Sequence, residues 1–189
     1  MSYKIGFAVT GSFCTLSKCL VAIDELIKKG YDITPILSYT VQRFDTRFFQ
    51  ADDFKREITS KTGKKFISTI QEAEPIGPKK LFDCLVVCPA TGNTISKIAN
   101  AVTDTPVTMA VKSHLRNNMP VVLSLSTNDG LSGSAVNIGK LLNRKNIYFV
   151  PFGQDDAVNK PCSLMADLSY LDDTIKSAIQ GKQFQPLLS

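Results

Sequence analysis

Residues Asp83 to Thr103, DCLVVCPATGNTISKIANAVT, read as a buried strand, a tight polar loop and an amphipathic helix. Leu85 to Cys88 is continuously apolar and partly β-branched, as a parallel strand covered on both faces requires. Pro89 is expected to end the strand, because proline cannot extend a central ladder. Thr91-Gly92-Asn93-Thr94 sets small hydroxyl and amide groups around a glycine, with Asn93 or Thr94 as the helix cap. Ile95, Ile98, Ala99 and Val102 then fall at helical spacing on one face. The loop is either an ordinary strand-to-helix turn or a ligand loop at the carboxyl edge of a parallel sheet, where open α/β folds bind.

The same grammar recurs on either side. Upstream, Ile5 to Val9 is a strand, and Thr10-Gly11-Ser12 leads into a helix with Leu16, Leu20, Ile23 and Ile27 on its apolar face and Gly30 closing it. A helix start of this kind gathers free backbone N–H groups, so Gly11-Ser12 is either a phosphate seat or a plain turn. Ile33 to Leu37 follows, with Pro35 favouring a sheet-edge position. That strand ends at Ser38-Tyr39-Thr40, whose hydroxyls either bond a ligand or simply form a turn. Gln42 to Phe54 is a loop bearing Arg43 and Arg47 that enters a polar helix near Ala51 to Thr62, and Phe66 to Ala73 is expected to be a short helix. The two guanidinium groups suit bidentate carboxylate binding, or are solvated surface charges.

Downstream, Pro106 opens a helix carrying Val107, Ala110, Val111 and Leu115. His114, the single histidine, lies in its last turn, where a cation complements the helix dipole. Val121 to Leu125 is the next strand and runs into Ser126-Thr127-Asn128-Asp129-Gly130, a third polar loop on the same edge. A helix over Leu131 to Asn143, a strand over Ile147 to Val150, a turn-rich stretch over Pro151 to Asp156 and a helix over Ser163 to Ile179 complete the chain. Five strands alternating with helices predict a doubly wound open parallel sheet, a flavodoxin- or Rossmann-like three-layer α/β/α fold formed as one domain over residues 1–189. The long strandless interval from Thr40 to Phe82 makes the first strand and the Asp83 strand neighbours, with a switch-point crevice between their loops.

Composition narrows the function. The 189 residues are 43% hydrophobic, enough for a full core. No apolar run reaches the ~18 residues of a membrane span, and Met1 to Thr10 lacks the layout of a signal peptide, so a cytoplasmic protein is expected. Cys14, Cys19, Cys84, Cys88 and Cys162 form no ligand pattern and suggest reduced thiols and no metal. A net charge of +5 without basic-aromatic interleaving suits small anions or an acidic partner rather than nucleic acid. Neither G-x-G-x-x-G nor G-x-x-x-x-G-K-[ST] is completed, which favours a mononucleotide such as FMN over a dinucleotide or nucleoside triphosphate.

Several stretches carry a wider resemblance: TGSFCT at Thr10 to Thr15, DTRF at Asp45 to Phe48, AEPIGPK at Ala73 to Lys79, PATGNTISKIANAVTD at Pro89 to Asp104, LSTND at Leu125 to Asp129, and IYFVPFGQDD at Ile147 to Asp156 with Lys160-Pro161. They are the distinctive pieces of a resemblance that covers nearly the whole chain. The combination resembles the homo-oligomeric flavin-containing cysteine decarboxylase family, which includes the phosphopantothenoylcysteine and peptidyl-cysteine decarboxylases. The resemblance implies bound FMN, with Gly11 and Ser12 holding the phosphate, Ser38 at the ribityl chain, and Ala90, Thr91 and Asn93 lining the cradle.

Two departures set this chain apart from the decarboxylases. The position of their catalytic histidine falls at Pro75, which cannot transfer a proton, and Ser124 to Asn128 replaces their proline-x-methionine-asparagine substrate motif. Within the family the likeness is instead to a flavoprotein-like subunit of spore-forming bacteria. That likeness implies oxidation of a dihydrodipicolinate-type precursor to pyridine-2,6-dicarboxylate, in the cytoplasm of the mother cell, with a partner subunit that looks like an NAD(P)-binding protein. Arg47, and after it Arg43, is the candidate clamp for the dicarboxylate substrate, and His114 a candidate proton-transfer group. The alternatives are a scaffold that binds flavin or phosphate, and a flavin-dependent decarboxylase. The resemblance also implies a homo-oligomer built on trimers.

Overall fold

The computed structural model describes residues 2–188. In chain order its elements are β1 (Lys4–Val9), α1 (Leu16–Lys28), β2 (Asp32–Leu37), α2 (Tyr39–Arg43), α3 (Ala51–Thr62), α4 (Ile70–Ala73), β3 (Cys84–Ala90), α5 (Gly92–Ala99), α6 (Pro106–Leu115), β4 (Val121–Thr127), α7 (Ala135–Leu142), β5 (Ile147–Phe149), β6 (Phe152–Gly153), β7 (Leu164–Ala166) and α8 (Leu171–Ile179). The first five strands are parallel in the order β2-β1-β3-β4-β5, so the chain reverses direction across β1 and β3 as the spacing predicts. Every residue of β3 is buried, which its unbroken apolar run requires of a central strand.

Helices cover both faces and give the three-layer α/β/α architecture expected. Leu16, Cys19, Leu20, Ile23 and Leu26 form the buried stripe of α1, and Gly30 closes the helix end at φ +88°, a backbone angle that favours glycine. The polar helix α3 occupies the boundaries read from the sequence. No helix among the described residues is long and apolar enough to cross a membrane.

Prolines explain two details of the sheet. Ile67 N donates to Pro35 O and Leu37 N donates to Ile67 O on the outer edge of β2, so residues 35 and 37 turn their backbone groups away from β1. The N–H that Pro35 lacks therefore removes nothing from the β1 ladder. Pro89 does not end β3, contrary to the sequence-based expectation. Val87 pairs with Leu123 and Ala90 with Leu125, which leaves one extra residue on β3, and a bulge is where a central strand tolerates proline.

The region after β5 is the main departure from a purely parallel sheet. Phe152 and Gly153 pair antiparallel with β7, and β7 pairs antiparallel with Ser126 and Thr127 at the end of β4, making a mixed open sheet of seven strands. The expected helix over 163–179 accordingly begins only at Leu171, because residues 164–166 are drawn into the sheet. Leu131 to Ser134 likewise precede α7 as turns. All five cysteines are unpaired thiols. Cys19, Cys84 and Cys88 are buried while Cys14 is exposed, and the Cys19 and Cys88 sulfurs lie 3.4 Å apart.

Candidate functional site

Parallel strands deliver their following loops to one edge, and here the ends of β1, β2, β3 and β4 converge on a crevice with two lobes. The first lobe, about 420 Å³, is lined by Thr10, Gly11, Ser38, Thr91, Asn93 and Thr94, with the Lys97 and Asp104 ion pair at its margin. The second, about 390 Å³, is lined by Gly11, Ser12, Arg47, Thr91, Ser126 and Lys160 among others. Gly11 and Thr91 belong to both, so the lobes meet between the loops that follow β1 and β3.

Local chemistry fixes that junction. Thr10 Oγ1 donates to Pro89 O at 2.6 Å and accepts from Thr91 N at 3.3 Å, tying the β1 end to the bulged β3 end. Thr91 is the true cap of α5. Its hydroxyl accepts from Thr94 N, so the expectation of Asn93 or Thr94 as cap is off by two or three residues, and Asn93 is left facing the first lobe. A Cβ at Gly11 would approach Thr40 Cγ2 to 2.9 Å, so glycine keeps the loop at this separation. Ser12 and Thr15 N–H groups are used within the turn at 2.9 Å, leaving those of Phe13 and Cys14 without a protein acceptor among the described residues. Free N–H groups at a helix entry suit an anionic ligand.

The hydroxyls of Ser12, Thr15 and Ser126 form a closed triangle with sides of 2.8, 3.0 and 3.1 Å, joining the β1 loop to β4. Beyond it, Asp129 Oδ1 accepts from Thr127 Oγ1 at 2.5 Å and Ser134 Oγ at 2.8 Å. The Thr127 bond, helped by Ser134 and opposed by burial, holds the Asp129 carboxyl below its ordinary range. Gly92 packs on this network, since a Cβ there would fall within 2.8 Å of Ser134, Thr127 and Asp129 oxygens. The crevice wall is thus hydroxyl-rich and cross-linked by hydrogen bonds.

Of the residues expected to hold a cofactor, Gly11, Ser12, Ser38, Thr91 and Asn93 line the crevice. Ser38 caps α2 through Val41 N. Ala90 is fully buried in β3 beneath the loop and lines neither lobe. Arg47 stands at the wall of the second lobe with its guanidinium 4.8 Å from the Phe48 ring centre. Arg43 stacks on Tyr39 at 4.8 Å and lines neither lobe.

His114 is not brought to the crevice. Helix α6 runs back across the sheet from its capped start at Thr105, so its last turn lies beside Pro120 at the amino edge. The side chain is buried, Nε2 has no partner among the described residues, and burial pushes its pKa down to about 4, against the Pro120 carbonyl, which favours the charged form. The imidazole is therefore neutral near pH 7, and the reading of a cation serving the helix dipole is corrected. Sequence reasoning missed Lys160, Asp155 and Ser163, which reach the second lobe because β6 and β7 fold the 154–163 loop over it. The signal available was Lys160-Pro161 beside two aspartates in a turn-rich stretch.

Known proteins share both the sequence and this architecture. The model of the family described as Flavoprotein matches residues 1–178. The B subunit of dipicolinate synthase from Bacillus subtilis (strain 168) is 45% identical over 185 residues, covering 98% of this chain and 92% of that protein. The crystal structure of the corresponding dipicolinate synthase B chain from Bacillus halodurans superposes with a TM-score of 0.91 at 43% identity, covering 100% of this chain and 98% of that one. An FMN-dependent cysteine decarboxylase, SpaF, shares the fold with a TM-score of 0.65 at 15% identity, over 96% of this chain and 97% of that one.

Proposed function

The chain belongs to the flavoprotein family, and from that premise we propose that it acts as the B component of a dipicolinate synthase, working with an NAD(P)-binding A component to oxidise a dihydrodipicolinate-type precursor to dipicolinate during sporulation. The observation that carries this reading is the full-length likeness to the B components from two Bacillus species, joined to a crevice whose wall presents Arg47.

FMN fits the residues present. The first lobe offers hydroxyls and the Asn93 amide to a sugar-like chain, and at its junction with the second lobe the Phe13 and Cys14 N–H groups with Ser12 suit its phosphate. The flavin, or the nicotinamide of the partner protein, supplies the hydride acceptor when bound. The reaction removes a hydride and a proton from the ring and makes it aromatic. This chain's part is to hold the dianionic substrate, and a guanidinium beside an aromatic face is suited to a planar carboxylate. His114, buried and neutral at the other edge of the sheet, takes no part in that proton transfer.

The test is turnover by the purified chain alone, by its NAD(P)-binding partner alone and by their mixture. Dipicolinate formed only in the mixture, with KM raised about tenfold or more by Arg47→Ala, is the expected result. Unchanged KM and turnover in the variant removes Arg47 from the account. The partner turning over at full rate by itself removes this chain from the chemistry and leaves the scaffold reading, in which it binds flavin or phosphate and organises its partner. Homo-oligomerisation on trimers and a cytoplasmic, mother-cell setting are part of the same proposal. Sedimentation of the purified chain reads the former directly.

A further inference from the structure

Two cationic side chains line the second lobe. Arg47 arrives from the loop between α2 and α3, and Lys160 from the loop between β6 and β7, so the charges come from segments far apart in sequence. Among the described residues Arg47 has no carboxylate partner. Lys160 has one, Asp155, through a single contact of 3.2 Å. An ammonium carries three donors, so two remain for a ligand. The Lys160 side chain is 56% exposed, whereas that of Asp155 is 18% exposed.

The backbone beneath Lys160 is held. Lys160 N donates to Asp156 O at 2.8 Å, Ser163 N donates to Lys160 O at 3.0 Å, and Gln154 Nε2 donates to Pro161 O at 2.7 Å. The Ser163 hydroxyl and Lys160 both hold the Asp155 carboxyl below its ordinary range, and the same hydroxyl lies 3.3 Å from Thr127 O. A solvent-exposed pair with one long contact is weak, and exchanging it for a ligand carboxylate costs little.

Resting on the substrate reading above, we propose that Lys160 is the second carboxylate-binding residue of the crevice, acting together with Arg47 to select a ring that bears two carboxylates over one that bears a single carboxylate. Arg47 takes one carboxylate with its planar fork, and Lys160 takes the other as a compact charge. Asp155 keeps the ammonium at the wall when no substrate is present.

Isothermal titration of the full chain with pyridine-2,6-dicarboxylate and with pyridine-2-carboxylate tests this. The wild type is expected to prefer the dicarboxylate about tenfold or more. Lys160→Gln should remove most of that preference while leaving pyridine-2-carboxylate affinity within about twofold, and Lys160→Arg should restore it. Asp155→Asn frees the ammonium and should bind the dicarboxylate at least as tightly as the wild type. A Lys160→Gln variant with an unchanged preference overturns the inference alone. So does an Asp155→Asn variant that loses as much as Lys160→Gln, since Lys160 would then only brace the loop. A wild-type chain that binds neither compound overturns the substrate reading together with the inference.

Discussion

His114 shows how burial decides what a titratable side chain can do. The folded protein holds it neutral down to about pH 4, while an unfolded chain takes up the proton near its ordinary value of ~6.5. Between those two values the unfolded state binds more protons, so stability falls as the pH is lowered from ~6.5 towards 4. The loss amounts to about 3 kcal/mol at most. Urea unfolding at pH 7 and pH 5 should show this decline, and His114→Leu should flatten it, because Leu removes the titratable imidazole, whose Nε2 has no partner among the described residues. An equally steep decline in the variant would assign it to other groups. The placement of Arg47 at the crevice wall agrees with the sequence reading of an arginine-bearing loop after the second strand. The state of His114 was not legible in the sequence, since its neutrality depends on packing against residues distant along the chain.

Helix α5 and its entry loop were legible as an element but not in their details. Apolar periodicity located the helix, yet several neighbouring residues are able to cap it, and only the geometry selects Thr91. The β3 bulge likewise depends on how β3 and β4 align, so Pro89 alone suggested an end where the strand continues. Gly92 offers a test at this scale. Gly92→Ala should open the Thr127, Asp129 and Ser134 network and cost about 1–3 kcal/mol. Gly139→Ala in α7 has open space around the new Cβ and should instead gain about 0.5–1 kcal/mol through helix propensity. Equal stability of Gly92→Ala and the wild type in urea would contradict the packing described.

At the scale of the molecule, strand order was legible because alternating apolar runs and loops leave few ways to wind a parallel sheet. The antiparallel β6–β7 addition was not, since two and three residues are too few to show a period. Helix α8 is fastened by Asp172 to the connection between α1 and β2. Its carboxylate accepts from Lys29 at 2.7 Å, Tyr31 at 2.7 Å and Lys176 at 2.9 Å. Burial opposes its ionisation, but those three partners outweigh burial and bring its pKa to about 2. The folded carboxyl thus sits below its unfolded value of ~3.9, and its contribution is complete above that value and lost as the pH falls towards 2. Asp172→Asn should lower stability at pH 7 by about 1–3 kcal/mol and by progressively less in acid. A stability loss independent of pH would contradict the ion-pair account.

The crevice unites these scales, and its proposed occupant is testable by one titration. The purified chain would be titrated with FMN and, separately, with riboflavin, following the visible flavin absorption and fluorescence. Saturation at one FMN per chain, with riboflavin bound at least tenfold more weakly for want of its phosphate, is the predicted result. Absence of any flavin perturbation, or equal affinity for the two compounds, would contradict a phosphate seat at the Gly11-Ser12 loop and with it the central claim.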